Sequence, residues 1–304
     1  MQSKLNNHIV QGFLLAIVAT LLWSGNFIIA RKVSTAISPI SLAFYRWTCA
    51  SLVLFPFAFK KLRIEFVHIK ANWKILSLIA LTGIALFNTF VYVAGHNTTA
   101  INMALIGTTS SPIFATIMAV VFLKERLSFY RIIGMILCIL GIVLLISKGS
   151  LDILLSFKFS SGDAWILAGA FAFAVYNILV RKKPIQISAL SFLLIIFILG
   201  SLMLFPFFIV EQIIVKEPIE WSNSLLGSIL YLGIGTSVLA FWCWNLAISK
   251  LGAGRTVLFG NLIPLFSTLE AILILGESIT PIHFYSGILV IAGLVIANIT
   301  INKK

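Results

Sequence analysis

The chain has 304 residues, 60% of them apolar and only 10% charged, with a mean hydropathy of +1.10. A soluble domain carries roughly 25% charged residues, so this balance excludes an ordinary water-soluble fold and points to a bundle whose apolar side chains face lipid as well as the core. The formal charge of +13 is spread over short basic clusters between apolar runs, not along a stripe interleaved with aromatics, which argues against a nucleic-acid partner.

Apolar stretches long enough to cross a hydrocarbon core of roughly 30 Å occur near 10–30, 39–59, 73–95, 100–123, 129–147, 163–180, 187–210, 224–249, 254–275 and 280–301, which predicts ten spans. Span 1 follows Lys4 but is too long and too polar at Trp23-Ser24-Gly25-Asn26 for a cleaved signal sequence, so it is retained. Trp23 and Asn26 pair an aromatic with an amide, a combination that can stack on and hydrogen-bond a solute. Span 2 contains Arg46, seven residues from its outer end. Span 3 sets Asn88, Tyr92 and His96 at i, i+4 and i+8 on one narrow face. In span 4, Thr109 and Thr116 flank Pro112, which removes a backbone donor and tends to kink the helix.

Span 5 carries Gly134 and Gly141 among Ile, Leu and Val, the pattern of a helix that packs closely at the periphery. Span 6 offers Tyr176 and Asn177, and span 8 a second polar stripe of Trp242, Asn245 and Ser249 at i, i+3 and i+7. Each stripe reads either as a wall of a cavity or as polar glue between packed helices. Span 9 repeats the design of span 4, with Asn261 and Thr268 around Pro264, so Pro112 and Pro264 are expected to act as paired hinges, and it adds Glu270 five residues from its outer end. Arg46 and Glu270 therefore share a depth of roughly 8–10 Å at about 1.5 Å per residue. They are expected to neutralise each other as an outer gate, or else Glu270 titrates alone as a proton site. Gly287 and Gly293 give span 10 the same character as span 5.

Cys49, Cys138 and Cys243 are odd in number and lie in apolar runs, and His8, His68, His96 and His283 are dispersed, so neither a disulfide framework, a metal site nor a cofactor is expected. Connections are short, apart from 60–72, 148–162 and 211–223, so binding residues must lie in or beside the bilayer. With the N-terminus in the cytoplasm, inside segments hold 16 Lys and Arg and outside segments hold 5, which predicts both termini inside.

The chain repeats itself. At an offset of 150, Ser51-Leu52 and Leu54-Phe55-Pro56-Phe57 match Ser201-Leu202 and Leu204-Phe205-Pro206-Phe207. At 152, Pro112, Phe114, Thr116, Leu123, Glu125 and Gly141 match Pro264, Phe266, Thr268, Leu275, Glu277 and Gly293. Five spans per copy is an odd number, so the second copy enters the membrane with the opposite sense and the repeats are inverted.

The stretches LLWSGNFIIARK, FYRWTCASLVL and SPIFATIMAVVFLKERLSFYRIIGMILCILGIVLL, with a second copy of the last reading IPLFSTLEAILILGESITPIHFYSGILVIAGLVIA, resemble the EamA-type family of the drug/metabolite transporter superfamily over essentially the whole chain. Ser278 follows Glu277 where the first copy has Arg126 after Glu125, a departure from the symmetric pattern. The resemblance implies an all-α membrane protein of ten transmembrane helices in two inverted five-helix repeats, 8–148 and 160–302, around a central cavity. It further implies a secondary transporter of a bacterial-type inner membrane, moving a small organic solute such as an amino acid or derivative, outward in the usual case. Uptake of metabolites and drug efflux are the alternatives within transport. A channel and a membrane-embedded enzyme are the alternatives outside it, although no catalytic grouping is present and Gly233-Ile-Gly235 lacks the rest of a nucleotide motif. The expected partners are the solute, the bilayer and a proton at Glu270.

Overall fold

The computed structural model describes residues 2–298 except 34, 99, 125–126, 156–159, 216–218 and 276–279. Among them the chain is helical, without strands. The main helices are α1 (Gln2–Lys32), α2 (Pro39–Ile64), α3 (Trp73–Asn97), α4 (Ala100–Leu123), α5 (Phe129–Ile146), α6 (Ser161–Arg181), α7 (Ala189–Ile214), α8 (Asn223–Leu251), α9 (Ile263–Leu275) and α10 (Pro281–Asn298). Seven of the described helices, α1, α2, α3, α6, α7, α8 and α10, are long and apolar enough to cross a membrane. The apolar stretches Ser110–Leu123 and Phe129–Leu145 are shorter, as is α9.

Side chains are distributed as lipid requires. Leu52 and Phe57 are 70% and 72% exposed, and their counterparts Leu202 and Phe207 are 62% and 61% exposed, while Arg46, Asp163 and Asn177 are buried. Apolar groups thus face outward and polar groups meet inside, where they find partners.

Among the packed pairs that join the halves, two pair equivalent helices of the repeat. Helices α2 and α7 run antiparallel, each starting where the other ends: Glu211 accepts from the backbone N–H groups of Ile40 and Ser41 at 3.1 and 2.7 Å, and Glu65 accepts from that of Ser188 at 2.9 Å. A carboxylate at a helix N-terminus meets unpaired N–H groups and the positive end of the dipole, worth about 0.3–1 kcal/mol. Burial raises the Glu65 carboxyl, but the bonds from Ser188 and Ser191 and the Lys61 charge outweigh it and hold the group below its ordinary range. Helices α5 and α10 approach at glycines: a Cβ on Gly134 would lie 2.4 Å from the Gly293 carbonyl oxygen, and one on Gly141 would lie 2.9 Å from that of Ser286. At the repeat offset of 152, Gly134 corresponds to Ser286 and Gly141 to Gly293, so each contact is the counterpart of the other.

Helices α3 and α8 each contain a π-helical stretch, Leu81–Leu86 and Tyr231–Leu239, starting 150 residues apart. Gly83 and Gly233 occupy matching positions within them. A Cβ on Gly83 would run into the Tyr176 ring, and one on Gly233 into Cys49, so both stretches are pressed against a neighbouring helix. After α8, Gly252 takes φ +88 and the chain reverses into the short helix Ala253–Thr256, then a 3-10 stretch, Val257–Leu262, that leads into α9. Pro264 sits at the second residue of α9, whereas Pro112 lies inside the unbroken α4. The two prolines expected to act as paired hinges therefore occupy unlike backbone: one follows a change of helix type, and the other does not interrupt its helix.

Candidate functional site

Residues from both halves converge on a partly open cavity of about 70 Å³, room for roughly five water molecules. Much of its lining is aromatic. Trp23 lies with ring centroids 4.8 Å from Trp244, 5.3 Å from Phe241 and 5.7 Å from Phe173, and Phe87 stacks on Phe173 at 4.5 Å. The indoles are held in place: Trp23 Nε1 donates to the Thr236 carbonyl and Trp244 Nε1 to Asn177 Oδ1, both at 2.8 Å. The lining also includes Val257, Gly260 and Ile263. A 3-10 helix has three residues per turn, so these three align on one face, with Gly260 as a gap in the wall.

The polar end is built around Arg46, which is 1% exposed. Its Nε donates to Ser237 Oγ at 2.7 Å. Its Nη1 is within 2.9 Å of Asn26 Oδ1, 2.8 Å of Asn88 Oδ1 and 2.7 Å of the Tyr92 hydroxyl, three oxygens for two hydrogens. Among the described residues its Nη2 reaches only the Thr236 carbonyl, at 3.4 Å. The guanidinium also lies 4.8 Å from the Trp47 ring centroid, a cation–π contact. Asn88 Nδ2 is buried and has no hydrogen-bond partner among the described residues. The π stretch of α8 makes this geometry: Ser237 Oγ donates five residues back to the Leu232 carbonyl at 2.7 Å, which turns its lone pairs toward Arg46.

The expected site residues divide into groups. Trp23, Asn26, Arg46, Asn88 and Pro112 line the cavity, and Tyr92 supports Arg46 from behind. Tyr176 and Asn245 bond each other at 2.8 Å, and Asn177 carries Trp244, so these three set the wall without lining it. Asn261 is buried off the cavity. The side chains of Thr109 and Thr268 lie outside the described residues. Thr116 is buried and meets Met135 Sδ at 3.3 Å.

Two expectations are corrected. Trp242 is 40% exposed and His96 is also exposed, so neither stripe follows its full sequence spacing into the cavity. In α8 the buried face runs through Phe241, Trp244 and Ile248, one residue out of step with the polar stripe, because Ser249 and Trp242 turn outward. The Arg46–Glu270 pair does not form: among the described residues no carboxylate pairs with Arg46, and Glu270 accepts from Ser24 Oγ, where Ser267 Oγ also donates to the Ser24 carbonyl at 2.8 Å. A shared depth fixes only one coordinate, and α2 and α9 present these groups to different neighbours. The residues that sequence reading missed are Trp244, Phe173, Phe241, Thr236 and Ser237. The last two had a visible signal, adjacent hydroxyls beside Gly233 and Gly235 in an apolar span.

Comparison with known proteins follows the same outline. The profile described as the EamA-like transporter family matches residues 10–147 and 160–299. An Archaeoglobus fulgidus protein described as an uncharacterized transporter is 30% identical over 92% of this chain and 95% of its own length. The Bacillus subtilis uncharacterized transporter YyaM is 27% identical over 90% and 88%. A solved crystal structure superposes with a TM-score of 0.73 at 19% identity, covering 94% of this chain and 96% of its own, a likeness of fold.

Proposed function

The chain belongs to the EamA-like transporter family, and from that premise we propose that this multi-pass membrane transporter is a secondary carrier that binds a small organic metabolite, an amino acid or a derivative, in the cavity at Arg46. All ten main helices span the membrane as two inverted five-helix repeats, 8–148 and 160–302, in a plasma membrane with both termini in the cytoplasm. The repeat spacing, the matched π stretches and the reciprocal Gly134–Gly293 and Gly141–Ser286 contacts support the inverted arrangement. The excess of Lys and Arg on the N-terminal side supports the orientation.

The observation that carries the reading is the partly open cavity, lined by aromatic rings and by the cation Arg46, between segments drawn from both halves. A carrier needs a site that two halves can alternately uncover. Counterflow into proteoliposomes preloaded with a mixed pool of amino acids and related metabolites tests it. Saturable exchange is expected, reduced at least tenfold by Trp244→Ala and unchanged by Trp242→Ala, whose side chain faces away from the cavity. Non-saturating flux would assign a channel instead, and equal loss in both variants would remove the cavity from the transport path.

A further inference from the structure

We infer that the solute is held by a carboxylate, which docks against Arg46 and Asn88 with its apolar or aromatic body on the tryptophan wall, and that no amino group is required. The inference rests on the carrier reading and narrows its substrate class.

Three observations lead to it. First, Arg46 is 1% exposed and every one of its hydrogen-bond partners is neutral: two amide oxygens, two hydroxyls and a carbonyl. Neutral acceptors solvate a guanidinium but leave its charge unbalanced, and a charge inside a membrane protein is rare and pairs with an opposite one or lines a pathway. Glu270, the carboxylate that sequence depth offered, is engaged by Ser24 instead.

Second, two residues of the lining each hold a donor that is under-used: among the described residues Arg46 Nη2 has a single bond, at 3.4 Å, and Asn88 Nδ2 is buried without a partner. The orientation of the Asn88 amide is set by chemistry: turned over, its NH2 would face the Nη1 hydrogens, donor against donor. With Asn88 Oδ1 committed to Arg46, the amide nitrogen is left as a donor beside a cation. A buried donor without a partner costs stability unless a ligand completes it, and N–H groups from guanidinium and amide suit the two oxygens of a carboxylate.

Third, no acidic residue lines the cavity among the described residues. A carboxylate balances Arg46 with no further charge, whereas an ammonium would find no counter-charge on the lining among the described residues, only aromatic faces and neutral groups such as Asn26 and Ser111. The acid end is the recognised end, and an α-amino group is tolerated on the aromatic side without being demanded.

The test is isothermal titration calorimetry on the full chain in detergent micelles, with 4-methylvalerate, 3-phenylpropionate, their uncharged primary amides, leucine and phenylalanine as titrants. Acids are expected to bind at least tenfold more tightly than the matching amides, and at least as tightly as the amino acids. Asn88→Asp places a carboxylate on Arg46 and removes the free donor. It is expected to unfold at the same or a higher temperature and to lose acid binding at least tenfold. Amides binding as tightly as acids would overturn the inference, as would a folded Asn88→Asp chain that keeps its acid affinity. If no titrant binds, the mixed-pool counterflow decides. Exchange confined to carboxylate-bearing solutes supports the inference, exchange of solutes lacking a carboxylate overturns it while the carrier stands, and no exchange of any solute overturns both.

Discussion

Arg46 and Glu270 show what position along a helix can and cannot specify. Sequence position puts both at a similar depth, yet Arg46 is enclosed by Asn26, Asn88, Tyr92 and Ser237, while Glu270 is tied to Ser24. Among the described residues the two share no hydrogen-bond partner, and effects of sites without shared contacts add within about 0.3–0.5 kcal/mol. Arg46→Gln and Glu270→Gln, alone and together, are therefore expected to give additive losses in log exchange rate. A coupling of more than about 1 kcal/mol would restore the ion pair as a transport-state contact. The polar candidates Asn26, Asn88 and Tyr92 were legible because an amide or phenol in an apolar span must have a partner. The aromatic wall was not, because Phe173, Phe241 and Trp244 look like any other apolar residue of a span that lipid or core could receive. Trp242 and Trp244 differ only in which way a helix containing a π stretch is turned.

Elements were more legible than faces. The apolar runs matched most helix ends to within four residues, since length and hydropathy are what a bilayer selects, but α1 starts eight residues before its run, α2 ends five after it, and α9 starts nine into it, behind the short helix and 3-10 stretch. The π stretches of α3 and α8 were not readable, because a widened turn changes the helical period by a fraction of a residue that a hydrophobic pattern does not resolve. The peripheral glycine packing of α5 and α10 was read from composition, and its physics is direct. The approach of Gly134 to the Gly293 carbonyl is backbone against backbone, so no side chain can rotate away to make room. Gly134→Ala is expected to force the helices apart and destabilise the chain by about 1–3 kcal/mol, while ligand affinity at the cavity, which Gly134 does not line, stays within twofold. Thermal unfolding beside calorimetric binding separates the two effects. Unchanged stability would mean that α5 and α10 are not held together at these glycines.

For the molecule as a whole, the proposed exchange of conformation between two inverted repeats makes a sorting rule for contacts. A contact whose counterpart is already present maps onto itself when the halves swap roles, so it persists through the cycle. Cys138 donates to the Val290 carbonyl at 3.5 Å, and these residues are 152 apart, the repeat offset itself. They sit where the proposed pseudo-two-fold axis crosses α5 and α10, flanked by the reciprocal glycine contacts. By contrast, the Ser24–Glu270 and Ser267–Ser24 bonds of α1 and α9 have as counterparts Ala174, Met118 and Ala115, which cannot repeat them. The helix pairs that carry them are unequal as well: α4 packs on α6 more extensively than its counterpart α1 packs on α9, so the two pairs exchange packing when the halves swap roles. Val290→Cys, oxidised onto native Cys138 with Cys49 and Cys243 replaced by alanine, is therefore expected to leave counterflow within twofold of the reduced protein. A bifunctional crosslink between Ser24→Cys and Ser267→Cys in a cysteine-free chain is expected to abolish counterflow, with recovery on reduction when the linker contains a disulfide. Transport that survives the second crosslink would show that α1 and α9 move as one body, and transport lost with the first would place the moving boundary between α5 and α10.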